Sequence, residues 1–178
     1  MTSRIDFASL ATLALAVAWF ANAAPAQQAA PEHHMSKPSA GFTRLSPLVG
    51  EWEGQSPDGK AVHVSYQLVS GGTALLERLQ TGTDPEMVTV YAPDGDRVAV
   101  THFCSAGNQP QMETGPLGAD AKDFSFEFIR ATNLAAPTAG HMHHLTVSLV
   151  DDTHFTEEWT WEENGSAHTA LFHFTRKA

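Results

Sequence analysis

The sequence predicts an all-β fold, an antiparallel up-and-down barrel of about nine to ten strands with one short N-terminal helical turn. Three observations carry that expectation. Apolar and polar residues alternate with period two through most of the chain after Gly41, the pattern of strands with one buried face. Gly, Pro, Asn and Asp interrupt the alternation at regular spacing, so successive runs are joined by turns and pair antiparallel. No long run of helical periodicity intervenes. Closing such a set of strands on itself removes the exposed edges.

The elements follow in order. Phe42 to Leu48 forms the helical turn that leads into the first strand. Glu51 to Gln55 opens the sheet, and Ser56-Pro57-Asp58-Gly59 turns it back. Val62, Val64, Tyr66 and Leu68 share one face of the second strand, while His63, Ser65 and Gln67 share the other. Ser70-Gly71-Gly72 precedes a third strand, Ala74 to Thr81. Met87 to Tyr91 and Arg97 to Cys104 flank Asp94-Gly95, a strong hairpin signal between β-rich runs. Gln111 to Thr114 is a short strand. Phe124, Phe126 and Phe128 alternate with Ser125, Glu127 and Ile129 to make the next. His141 to Val150, His154 to Glu162 and Ala167 to Thr175 close the meander, with turns at Asp151-Asp152 and Asn164-Gly165.

Two segments precede the barrel. Residues 1–26 read as a secretory signal: Arg4, an apolar run from Phe7 to Phe20, then small-residue cleavage signals at Ala21-Asn22-Ala23 or Ala24-Pro25-Ala26. The run is short for a membrane span, so the chain is expected to be periplasmic or secreted, with no membrane contact once the signal is cleaved. Residues 27–40, rich in Pro, Ala, Gln and His, read as a disordered linker. Residues 41–178 form the barrel domain, large enough to bury a core without crosslinks. Its only cysteine, Cys104, has no internal partner for a disulfide.

Twenty acidic residues against ten basic ones leave a net charge of −10. That balance argues against nucleic acid or an anionic membrane surface as a partner. A small-molecule ligand is the expected partner, and the chain is expected to be a monomer or a dimer.

Gly50-Glu51-Trp52 follows the helical turn and starts the first strand, and it resembles the Gly-x-Trp signature of the calycin superfamily, which includes lipocalins and fatty-acid-binding proteins. The resemblance implies a lipocalin-like barrel with one central cavity and Trp52 packed across its closed end. A second run, Tyr91…Asp94-Gly95…Thr101-His102-Phe103-Cys104…Gly107-Asn108-Gln109-Pro110, resembles a family of uncharacterised secreted bacterial proteins. The haem-binding nitrobindins also carry an early Gly-x-Trp and ligate iron through a late-strand His. This chain is His-rich there but lacks their first-hairpin sequence.

The candidate ligand-binding residues are His102, Cys104, Asn108, Gln109, Arg130 and His143. His102 and Cys104, two apart on a strand, share the face of Val98 and Val100, and if that face is the interior both point into the cavity. Asn108 and Gln109 offer amide donors and acceptors in a loop at the barrel mouth or a tight turn, either for a polar ligand head group or for capping the loop's own backbone. Glu157 beside Trp159 either points outward into solvent or, if inward, needs a partner, for which Arg130 is the candidate, on a face shared with Phe124, Phe126 and Phe128. His141 and His143, expected to share a face with Leu145, Val147 and Leu149, are the candidate metal pair. Binding is therefore the expected function, with no catalytic residue assigned. The alternative is a haem- or zinc-binding barrel, with enzymatic activity to be tested, that uses His102 with Cys104 and the cluster His141 to His144.

Overall fold

The structure is a computed structural model, described here for residues 39–178. The expected signal, residues 1–26, and residues 27–38 of the expected linker lie outside the described part. Ten strands form one closed barrel. They are β1 (Gly50–Gln55), β2 (Ala61–Val69), β3 (Ala74–Thr81), β4 (Met87–Asp94), β5 (Arg97–Phe103), β6 (Gln109–Thr114), β7 (Asp123–Thr132), β8 (His141–Leu149), β9 (His154–Glu163) and β10 (Ser166–Arg176). Each strand pairs antiparallel with its neighbours in sequence, and β1 pairs with β10 to close the barrel.

The expected single helical turn is two short pieces, α1 (Ala40–Thr43) and a 3-10 turn, Ser46–Leu48. Ser39 caps α1 by accepting the Phe42 N–H at 3.2 Å. Pro47 supplies no backbone N–H to bond back to Thr43, so the hydrogen bonds of one helix are interrupted between the two pieces.

These pieces seal one end of the barrel. Phe42, Leu45, Leu48 and Trp52 are all buried there. The Trp52 indole N–H donates to the Leu48 carbonyl at 2.7 Å, and its ring meets Phe155 edge-on at 4.7 Å. Arg176, at the end of β10, lies 4.0 Å over the Trp52 ring and donates to the carbonyls of Val49, Asp152 and Pro47. Gly50 has φ +132°, and a Cβ there would lie 2.8 Å from the Arg176 guanidinium. The glycine thus lets the backbone turn into β1 beneath that cation.

Strand direction orders the rest of the interior. β1 starts at the sealed end, so the 56–60, 82–86, 104–108, 133–140 and 164–165 connections gather at the opposite, open end. The period-two alternation holds on most strands: Val62, Val64 and Tyr66 are buried on β2, and Phe124 and Phe126 on β7. Two bulges break it. The β6–β7 register shifts between Gln111 and Met112, which leaves Ile129 without a partner, and the β8–β9 register shifts at His143.

Candidate functional site

Four inward residues lie side by side across four strands. Tyr66 of β2 pairs with Glu77 of β3, Glu77 with Thr89 of β4, and Thr89 with His102 of β5. All four are buried. Thr89 Oγ1 and His102 Nδ1 are 3.0 Å apart. The Tyr91 hydroxyl, one inward position along β4, donates to Glu77 at 2.5 Å. From the far wall Glu157 accepts the Tyr66 hydroxyl and, at 3.0 Å, the Trp159 indole N–H.

The interior therefore holds two carboxyl groups and no buried cation to neutralise them, among the described residues. Burial pushes both carboxyl groups upward, and Glu77 is raised further by the nearby Glu157. Glu157 receives two donors, whereas the second oxygen of Glu77 receives none. The proton belongs preferentially on Glu77, since hydrogen bonds to the charged form favour Glu157 as the carboxylate. Tyr66 and Tyr91 are pushed up by burial and by these same carboxyl groups, so both hydroxyls remain donors.

His102 links this network to a cavity of about 100 Å³ at the open end. Leu79, Met87, Met142, Trp161 and Phe172 supply apolar walls, and Trp159 packs on His102 at 4.6 Å between ring centroids. Burial lowers the His102 pKa to about 4, so the ring is neutral at physiological pH. Its Nδ1 faces Thr89, while Nε2 is buried without a protein partner. Gly140 lets the Trp161 wall approach: a Cβ at that position would collide with the indole ring. A larger groove, about 860 Å³, runs along the outside over β10, β1, β2 and β3 past His63, Gln80 and His173. Apart from Val62 its lining is exposed or half-exposed.

The other expected site residues are placed differently. β5 ends at Phe103, so Cys104 leaves the strand instead of following His102 into the cavity. It begins a turn in which its N–H donates to the Asn108 carbonyl at 3.1 Å. Asn108 is buried and donates to the Gly140 carbonyl at 2.9 Å, tying two open-end loops together. Gln109 accepts from Thr132 at 2.8 Å and donates to the Gly107 carbonyl at 3.1 Å, which fixes it in the loop. Arg130 is exposed, because the bulge at Ile129 returns it to the outer row opposite Gln111. The candidate Arg130–Glu157 anchor is thus replaced by the Tyr66 and Trp159 donors.

His141 and His143 do meet. Their facing nitrogens, Nε2 and Nδ1, are 3.2 Å apart, and Phe128 packs against both rings. They do not form one row with Leu145, because the register slips at His143. His141 Nδ1 lies 2.8 Å from the Ala139 carbonyl, which can only accept. That assigns the proton to Nδ1 and makes Nε2 the acceptor of the His143 Nδ1–H. His143 Nε2 is left 3.6 Å from Glu162. No group of three His, Cys, Asp or Glu side chains that could hold a metal occurs among the described residues.

Glu77, Tyr66, Thr89 and Tyr91 were given no binding role from the sequence, although a signal was present. Glu77 sits between Leu75 and Leu79 on a period-two apolar face, and Glu157 sits likewise between Phe155 and Trp159.

No protein-family model and no curated protein sequence matches this chain. Among solved structures it is similar to a protein of unknown function from the DUF3598 family of Nostoc punctiforme, at 13% identity and a TM-score of 0.51. That match covers 75% of this chain, which spans about half (49%) of the other. The likeness is one of fold alone. A redesigned β-barrel is more distant, at 12% identity and a TM-score of 0.39, over 79% of this chain and 97% of the other.

Proposed function

We propose that this protein is an exported, calycin-like binding module that holds a small, partly apolar molecule in the open-end cavity. The observation that carries the reading is His102: a neutral, buried ring whose Nε2 has no protein partner, set in a mostly apolar wall that also carries Thr81 and His168. An unpaired buried nitrogen costs about 1–3 kcal/mol, and a ligand hydroxyl, amide or carbonyl at that point would recover it. The cavity, about 100 Å³, is below the roughly 300–1,000 Å³ of sites for drug-sized ligands. The ligand part that enters it is therefore only a few heavy atoms long, and a porphyrin is too large for it. The sealed end with Trp52 supports the calycin comparison.

A zinc reading has one observation in its favour. The 3.2 Å between His141 Nε2 and His143 Nδ1 is close to the separation of two nitrogens on one tetrahedral ion. It supplies two of the four ligands that a structural zinc requires.

Native mass spectrometry on untagged protein, compared with the denatured mass, separates these readings. An organic adduct released on denaturation supports the binding module, and zinc adducts support the metal pair. For an identified adduct, His102→Phe should weaken binding about fivefold or more, the equivalent of one net hydrogen bond. An unchanged affinity in His102→Phe would refute the assigned anchor.

A further inference from the structure

We propose that the barrel pairs with a second copy of itself through the free edge of β10, as an antiparallel two-fold dimer centred on Thr169. β1 pairs with β10 only from Trp52↔Arg176 to Gln55↔His173. The β9–β10 hairpin continues past that point, with β10 held to β9 from His173 back to Ser166. On its other side Ser166 to Phe172 pairs with no strand among the described residues.

The backbone groups on that edge can be identified. Lys177 N–H donates to the Glu51 carbonyl on β1, whereas Arg176 N–H donates to Thr153 on the β9 side. Strand backbones alternate sides residue by residue, so Leu171, Thr169 and Ala167 present their N–H and C=O groups to the free edge. Unpaired edges of this kind are usually blunted by charge, proline or a bulge. The stretch Ser166-Ala167-His168-Thr169-Ala170-Leu171-Phe172 has no Lys, Arg, Asp, Glu, Pro or Gly, and its pairing with β9 runs without a register shift.

Its own sequence fits a second copy. A two-fold axis at Thr169 sets Thr169 opposite the partner's Thr169, a favourable hydroxyl pair. It also sets Ala167 against the partner's Leu171, His168 against the partner's Ala170, and Ser166 against the partner's Phe172. Each of these three pairs opposes a small side chain to a larger one. Thr169 faces its mate in a hydrogen-bonded pair, and Ala167 and Leu171 form two more, so all the free edge groups of the three residues are satisfied. In a chain of net charge −10 this uncharged stretch also lets two copies approach without opposed carboxylates. Leu171, exposed in the single chain at 42%, would be covered.

The pairing also reaches the cavity. His168, Ala170 and Phe172 face its interior, so the partner's Ser166 and His168 would come beside them. If the cavity binds a ligand as proposed above, the second copy completes that wall. The dimer itself does not depend on that reading.

The test is sedimentation equilibrium on the full chain from low micromolar to its highest soluble concentration, with two variants. The chain should reach twice its monomer mass and stop there. Thr169→Asp opposes two carboxylates at the axis and should leave only monomer, with an unchanged circular dichroism spectrum as the check on folding. Cα atoms about 5.5 Å apart in a hydrogen-bonded pair lie within disulfide range. Thr169→Cys in a Cys104→Ser background should therefore crosslink to a dimer on mild oxidation and revert with thiol. Thr160→Cys, one strand inward on β9, should not. A monomer at every concentration, with or without a peptide bound at the edge, overturns the proposal. So does a dimer that survives Thr169→Asp, growth beyond a dimer, or equal crosslinking from both cysteine positions. Ligand binding that persists in a monomeric Thr169→Asp variant would leave the binding module standing and show that its wall is complete in one copy.

Discussion

Replacing Glu77 with Gln should change how stability depends on pH far more than it changes the structure. Gln keeps the shape of the side chain and an acceptor for the Tyr91 hydroxyl, but it cannot ionise. In the wild type, burial and the neighbouring Glu157 hold the Glu77 carboxyl well above the usual range. A carboxyl raised in the folded state keeps its proton after the unfolded chain has released its own, near pH 4.3. The stabilisation is fully present below that pH and is lost as pH rises toward the folded pKa. Over that window the slope is one proton, about 1.4 kcal/mol per pH unit. His102 acts in the opposite sense. Its folded pKa near 4 lies below the unfolded value of 6.5, so stability rises with pH between those values in both proteins. Above about pH 6.5 only the carboxyl contribution separates the wild type from the variant. As pH rises from there toward the folded pKa of Glu77, the wild type should lose stability relative to Glu77→Gln at about 1.4 kcal/mol per pH unit. Urea denaturation at a series of pH values, followed by the fluorescence of Trp159 and its neighbours, measures the difference directly. Parallel stability curves would show that Glu77 titrates as an ordinary carboxyl and would refute the proton assignment.

Other substitutions test the rest of the arrangement. Trp52→Ala should cost about 3–5 kcal/mol in denaturant unfolding, because it opens the sealed end. Arg176→Met should cost about 1–2 kcal/mol, discounted for partial exposure, since three carbonyls and the indole face lose the same cation. Arg130→Ala should stay within about 0.5 kcal/mol of the wild type and leave ligand retention unchanged. A large effect would mean that Arg130 reaches the interior after all. Gly140→Ala should displace Trp161, shift its emission and destabilise by about 1–3 kcal/mol through overcrowding. An unaltered emission spectrum would contradict that contact.

How legible the molecule was depends on whether a property is local. Alternation along a single strand decides which residues share a face, so Val62 with Val64 and Phe124 with Phe126 read as one row each without any knowledge of their partners, and these rows are the buried ones. Asp94-Gly95 and Asn164-Gly165 likewise marked hairpins from turn chemistry alone. Reading by alternation failed where one residue was added or a strand stopped early. Ile129 and His143 shift the register, so Arg130 turned outward and the His pair left the row of Leu145. Cys104 left the cavity face because β5 ends one residue before it.

The sequence by itself determined an all-antiparallel barrel and its turns, because alternation and turn chemistry rest on neighbours within a few positions, while the packing of Trp52 across one end was implied by the Gly50-Glu51-Trp52 resemblance. Only the tertiary structure decided what meets across the interior. Tyr66, Glu77, Thr89 and His102 come from four strands spread over 37 positions of the chain, and Glu157 lies 91 residues from the tyrosine that bonds it. Strand register brings them together, and register is a property of pairs of strands that no single strand contains.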